Sequence, residues 1–115
     1  MTDSILNLIG NTPIVELQHF STNPEVRILA KLEGNNPGGS LKDRPVLMMF
    51  RDAEERGVLK PGSHLLEATS GNTGIAMAMI AALHGYRFRA VMAESASVER
   101  RKVMKLFGAE IILTD

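Results

Sequence analysis

The sequence has 115 residues, 44% of them apolar, and its 13 basic and 13 acidic side chains cancel to zero net charge. That length suits one compact domain with a sizeable core, and the charge balance leaves no long-range field to draw the chain to nucleic acid or an anionic membrane. There are no cysteines, which removes disulfides, thiolate metal sites and thiol nucleophiles together and fits a cytoplasmic protein.

His19, His64 and His84 are scattered without metal-ligand spacing, so no metal site is expected. No basic-then-apolar leader opens the chain, which argues against a secretory signal. The longest apolar stretch, Ile75 to Leu83, is far short of the ~20 residues that span a bilayer.

The first forty residues are rich in turn formers: Gly10-Asn11-Thr12-Pro13, Asn23-Pro24 and Gly34-Asn35-Asn36-Pro37-Gly38-Gly39. Between them, Ile14 to Leu17 and Val26 to Leu32 read as short strands. A helix follows from about Arg44 or Pro45 to Arg56, stopped by Gly57, with Val46, Leu47, Met49, Phe50 and Ala53 at helical spacing. Its start carries two conflicting signals. Pro45 suits a first turn, whereas Ser40-x-x-Asp43 fits a capping box that begins the helix earlier. Either way Lys42 stands at the helix entrance.

His64 to Ala68 reads as a strand, and Thr69-Ser70-Gly71-Asn72-Thr73-Gly74 as a glycine turn. The helix from about Thr73 to His84 is apolar almost all round and so predicted to be buried, with Gly85 as its left-handed stop. Strand Arg87 to Met92, helix Val98 to Phe107 (Ser97 as N-cap, Gly108 as stop) and strand Glu110 to Leu113 complete the run. The basic cluster Arg100-Arg101-Lys102 reads as a solvated helix face. Alternating strands and helices at this spacing predict an α/β fold, a parallel sheet with helices on both faces in three layers. The chain stops at Asp115, just after a strand, without the covering helix; a truncated protein is expected.

Two segments carry chemistry. Lys42 lies where a glycine-rich turn enters a helix, facing the positive end of the backbone dipoles, which disfavours its ammonium form. An uncharged amine condenses with an aldehyde. Composition alone favours a plainer reading, a solvated surface lysine. In the second segment, residues 69 to 74, backbone N–H groups converge with three hydroxyls and an amide at a strand-to-helix junction, suited to a carboxylate or phosphate. It is neither a Walker loop nor a dinucleotide fingerprint. An ordinary turn capped by Asn72 or Thr73 is the alternative.

Together with the opening Ile9-Gly10-Asn11-Thr12-Pro13-Ile14-Val15 and the stretch from Glu99-Arg100-Arg101 to Gly108-Ala109-Glu110, these segments resemble the fold-type II pyridoxal-phosphate (PLP) enzymes. Lys31 to Arg44 and Glu67 to Ala76 look most like the cysteine synthases. The Glu33-Gly34-Asn35-Asn36-Pro37 wording is closer to the B-type than to the A-type. The resemblance covers essentially the whole chain in four collinear blocks, and it overturns the surface-lysine reading of Lys42.

The resemblance implies a PLP-dependent transferase in which Lys42 binds the cofactor covalently and later removes the substrate α-proton. Asn72 would hydrogen-bond the cofactor ring hydroxyl, and Thr69, Ser70, Gly71, Asn72 and Thr73 would hold the substrate carboxylate. It implies β-replacement of O-acetylserine by sulfide or thiosulfate, in a homodimeric enzyme. Cystathionine β-synthase shares both motifs and is the alternative, as is a non-catalytic domain fragment; serine/threonine dehydratases rank lower. It also implies two units: residues 1–35, whose strands pair with a second domain, and residues 36–115, a small α/β domain. The family's phosphate loop and its serine for the pyridine nitrogen belong to that second domain, absent from this chain. Pro45 stands where the family is expected to have a small residue.

Overall fold

The computed structural model describes residues 4–115. Two short strands, β1 (Ile14–Glu16) and β2 (Leu29–Lys31), pair with each other antiparallel, Val15 opposite Ala30. They form a ribbon of their own, separate from the main sheet, with every residue of β1 exposed.

Helix α1 runs over Asp43–Glu55. Pro45 is its third residue, so the helix starts where the earlier of the two signals placed it. The missing N–H costs nothing there, because the first turn has no intrahelical acceptors and the first α-type bond is Val46 N to Lys42 O at 3.1 Å. The capping box itself does not form. Ser40 Oγ accepts from Lys42 N, and the Asp43 carboxylate turns back to the N–H of Gly38 at 2.5 Å. Val46, Leu47 and Phe50 are buried, whereas Met49 is 56% exposed. At about 100° per residue Met49 falls about 110° from the centre of the buried stripe.

Strand β3 (His64–Ala68), helix α2 (Asn72–His84), strand β4 (Arg87–Ala93), helix α3 (Val98–Leu106) and strand β5 (Glu110–Thr114) alternate as predicted. The three strands are parallel in the order β3-β4-β5, with Leu65 opposite Phe88 and Ala90 opposite Ile111. Gly85 ends α2 at φ +75°, its N–H returning to Ala81 O, a geometry that a side chain would strain. Ser97 caps α3 by accepting from Arg100 N, as expected.

The mixed α/β architecture matches the sequence reading, but the helices gather on one face. A monotonic strand order with right-handed crossovers puts α2 and α3 on the same side. Accordingly α2 packs on α1, α3 and β4. The face carrying Phe88, Ala90 and Met92 is buried against these helices, while Leu66, Arg89 and Ile112 on the other face stay exposed. The core is built around α2, where every residue from Gly74 to Ala81 is buried. The radius of gyration is 17.0 Å, against about 13 Å for a compact chain of this length, because the ribbon projects from the α/β body. No helix among the described residues is long and apolar enough to cross a membrane.

Candidate active site

Lys42 occupies the N-cap position of α1 in helical geometry, φ −68° and ψ −20°. Its backbone is fixed on both sides, its N–H donating to Ser40 Oγ and its carbonyl accepting from Val46 N. Its side chain is exposed, and among the described residues the ammonium joins no ion pair.

The second segment lies at the C-terminal edge of the parallel strands, where β3 gives way to α2. Ligands of open α/β sheets bind at this edge. Gly71 is the N-cap of α2, in extended geometry, and caps with no side chain. The capping is done by Thr69 instead of Asn72 or Thr73. Its Oγ1 accepts from Gly74 N at 3.1 Å and from Gly71 N at 3.5 Å. The backbone N–H groups of Asn72 and Thr73, in the first turn, have no intrahelical acceptors, and Ser70 and Asn72 are exposed. The turn offers an anion donors on a helix mouth, where the dipole adds its share.

Gly74 lets this turn close. A Cβ there would lie 2.6 Å from Thr69 Cγ2 and 2.9 Å from Met104 Cε, so α2 meets both the turn and α3 only with a bare Cα at that position. Across the gap Arg100 Nη1 reaches the Ser70 carbonyl at 3.4 Å. Arg100 and Lys102 are exposed as expected of a solvated face, but Arg101 folds back onto the carbonyls of Glu94 and Ala96.

Glu54, in the last turn of α1, is bonded to His84, the last residue of α2. The two packed helices are thus tied near their C-terminal ends, and both have 13 residues. Lys42 and Asn72 each stand at the N-terminal mouth of one of them. A cavity of about 280 Å³ beside Thr69, Ser70, Ala93 and Thr114 opens at the C-terminal edge of the strands. Another of about 320 Å³, around His64, Tyr86, Arg87 and Glu110, lies at the opposite edge of the strands.

A network that the sequence reading did not single out surrounds Lys42. Glu33 accepts from Arg44 Nε at 2.7 Å and Nη2 at 3.0 Å, from Thr12 Oγ1 at 2.5 Å and from Asn36 Nδ2 at 3.0 Å. The Arg44 guanidinium, followed by the Thr12 hydroxyl, holds the Glu33 carboxyl down to about 2. Asp43 is fully buried with one oxygen unpartnered; burial pushes its carboxyl up, against the Gly38 N–H. Among the described residues no cluster of three or more His, Cys, Asp or Glu could hold a metal ion.

An exposed amine at one helix mouth and open backbone donors at another are groups suited to an aldehyde and to an anion, on an α/β fold. Residues 5–115 match the family of pyridoxal-phosphate dependent enzymes, and the chain belongs to it. Pyridoxal phosphate is that family's cofactor. Cysteine synthase B of Salmonella typhimurium (strain LT2) is 58% identical over 105 residues, covering 91% of this chain and 35% of that protein. Cysteine synthase B of Escherichia coli (strain K12) is 57% identical over 105 residues, with the same 91% and 35% covered. The crystal structure of an O-ureido-L-serine synthase superposes with a TM-score of 0.93 at 50% identity, covering 99% of this chain and 36% of that one. The chain spans about a third of the length of the curated relatives it matches.

Proposed function

We propose that this chain is the lysine-bearing part of a transferase that forms L-cysteine by β-replacement, from O-acetyl-L-serine and sulfide or thiosulfate. The observation that carries this reading is an exposed lysine at the entrance of α1 and a turn with open backbone donors at the entrance of α2. Identity of 57% and 58% to cysteine synthase B supports the substrates. When bound, the cofactor supplies an electron sink for bonds broken at the substrate α-carbon. Lys42 Nζ would hold it covalently and would serve as the base for the substrate α-proton. The Asn72 amide would hold the cofactor ring hydroxyl. Thr69, Ser70, Gly71, Asn72 and Thr73 hold the substrate carboxylate, and Thr69 can donate its hydroxyl hydrogen while accepting from Gly74. Acetate leaves the β-carbon and sulfur takes its place.

The exposed apolar residues of the ribbon, Ile14, Val15 and Leu29, support a division into residues 1–35, which pair with a further domain, and an α/β body over 36–115. A homodimer in the cytoplasm, acting on small molecules, completes the reading.

The test is the visible absorption spectrum of the chain mixed with pyridoxal phosphate, beside that of Lys42→Ala. A band that needs Lys42 supports the assignment, an equal band in Lys42→Ala sinks it, and no band in either assigns cofactor binding to the longer protein. The similarity to an O-ureido-L-serine synthase favours one competing reading, a different nucleophile at the same β-carbon. Product analysis with sulfide, thiosulfate and homocysteine separates these readings and cystathionine formation. Absent turnover in a chain with a folded circular dichroism spectrum would assign the activity to the longer protein.

A further inference from the structure

Lys42 is held from two sides by residues that converge on one carboxylate. On the C-terminal side, Arg44 forks onto both oxygens of Glu33, at 2.7 and 3.0 Å. On the N-terminal side, Asn36, 3% exposed, donates to the carbonyl of Ser40 at 3.0 Å and to Glu33 itself. Asn36 Oδ1 accepts from Gly10 N at 2.8 Å, so its amide is bonded at both ends. Ser40 and Arg44 are the residues two before and two after Lys42. Thr12, 7% exposed, donates to Glu33 and accepts from Arg44, closing the ring.

We propose that Glu33 is a positioning residue for Lys42, fixing the origin of its side chain through Arg44 and Asn36 while leaving its amine free. The proposal rests on the reading of Lys42 as the cofactor lysine. An amine swinging from a fixed Cα samples a small volume, and reaction with an aldehyde held nearby gains from that restriction. Held down to about 2, the Glu33 carboxyl stays ionised at physiological pH, so the brace is permanent. Two neutral bonds would hold less firmly than this charge-assisted fork.

The experiment incubates the full chain with pyridoxal phosphate, traps the product with borohydride and quantifies it by peptide mass spectrometry. Lys60 and Lys102, both exposed, serve as references within the same molecule. Wild type is expected to be modified at Lys42 in preference to both. In Glu33→Gln that preference drops by roughly tenfold, less than the roughly 100-fold that a misplacement of about 1 Å can cost, with an unchanged circular dichroism spectrum. Arg44→Lys, which keeps the charge and loses the fork, shows a drop in the same direction and carries the test if Glu33→Gln fails to fold. A wild-type preference that persists in the folded variants overturns the brace alone. A wild type with no preference for Lys42 overturns the cofactor-lysine reading and the brace with it.

Discussion

Glu54 Oε1 lies 2.5 Å from His84 Nδ1, joining the last turn of α1 to the last residue of α2. Tyr86 donates to the same oxygen at 2.8 Å, and the Phe50 ring stands edge-on to His84 with centroids 6.3 Å apart. The cluster ties the two helices at the ends away from Lys42 and Asn72. Burial pushes the Glu54 carboxyl up, but hydrogen bonds from His84 and Tyr86 outweigh it and hold the group below its ordinary 4.5. A carboxyl lowered by folding stabilises above the unfolded value and loses that stabilisation as pH falls. The urea midpoint of wild type is therefore expected to fall more than that of Glu54→Gln as pH drops below 4.5.

Glu33 makes a steeper acid prediction. Its folded value of about 2 against an ordinary 4.5 places its stabilisation fully above 4.5 and removes it progressively between 4.5 and 2. Circular dichroism followed through an acid titration is expected to show that slope in wild type and not in Glu33→Gln. The pair is partly exposed, 39% for Arg44 and 20% for Glu33, so high salt shrinks the difference.

Gly74→Ala is expected to cost about 1–3 kcal/mol by overpacking, read as a lower urea midpoint. The added methyl meets Thr69 Cγ2 and Met104 Cε. In a Thr69→Ser background, which removes the first of these atoms, the same substitution should cost less. A double-mutant cycle with no coupling would disprove that the two positions press on each other.

Asp43 carries the opposite sign of pH dependence. Burial raises its carboxyl above the ordinary 3.8, so the folded state disfavours the ionised form and stability is lost as pH rises past that value. Asp43→Asn keeps an acceptor for Gly38 N and removes the charge. Its stability advantage over wild type is expected to grow upward from about pH 3.8 and then level off. Asp43→Ala strands the Gly38 N–H and costs about 1–3 kcal/mol. Chemical denaturation across pH checks both.

What was legible in the sequence was local. Alternation of apolar periods, Ser97 as a cap and Gly85 as a stop all act within a few residues, and each matches the structure. The helix start was ambiguous because Asp43 bonds back to Gly38 rather than to Ser40. Thr69 caps α2 from three residues before Asn72, outside the usual capping position. The one-sided placement of helices depends on strand order, which no single segment encodes. The ring of Thr12, Glu33, Asn36 and Arg44 spans up to 32 residues, and no residue in it is unusual for a loop or a helix start. Only the fold brings them together around Lys42.

The projecting ribbon adds a mechanical consequence. With β1 wholly exposed, the ribbon shares little of the core's cooperativity, and its amides are expected to exchange with solvent through local fraying. Yet Lys31 Nζ holds the Thr12 carbonyl at 2.6 Å, and Thr12 and Gly10 are bonded directly to Glu33 and Asn36. The ribbon is thus joined to the backbone around Lys42 by a polar route that bypasses the hydrophobic interior.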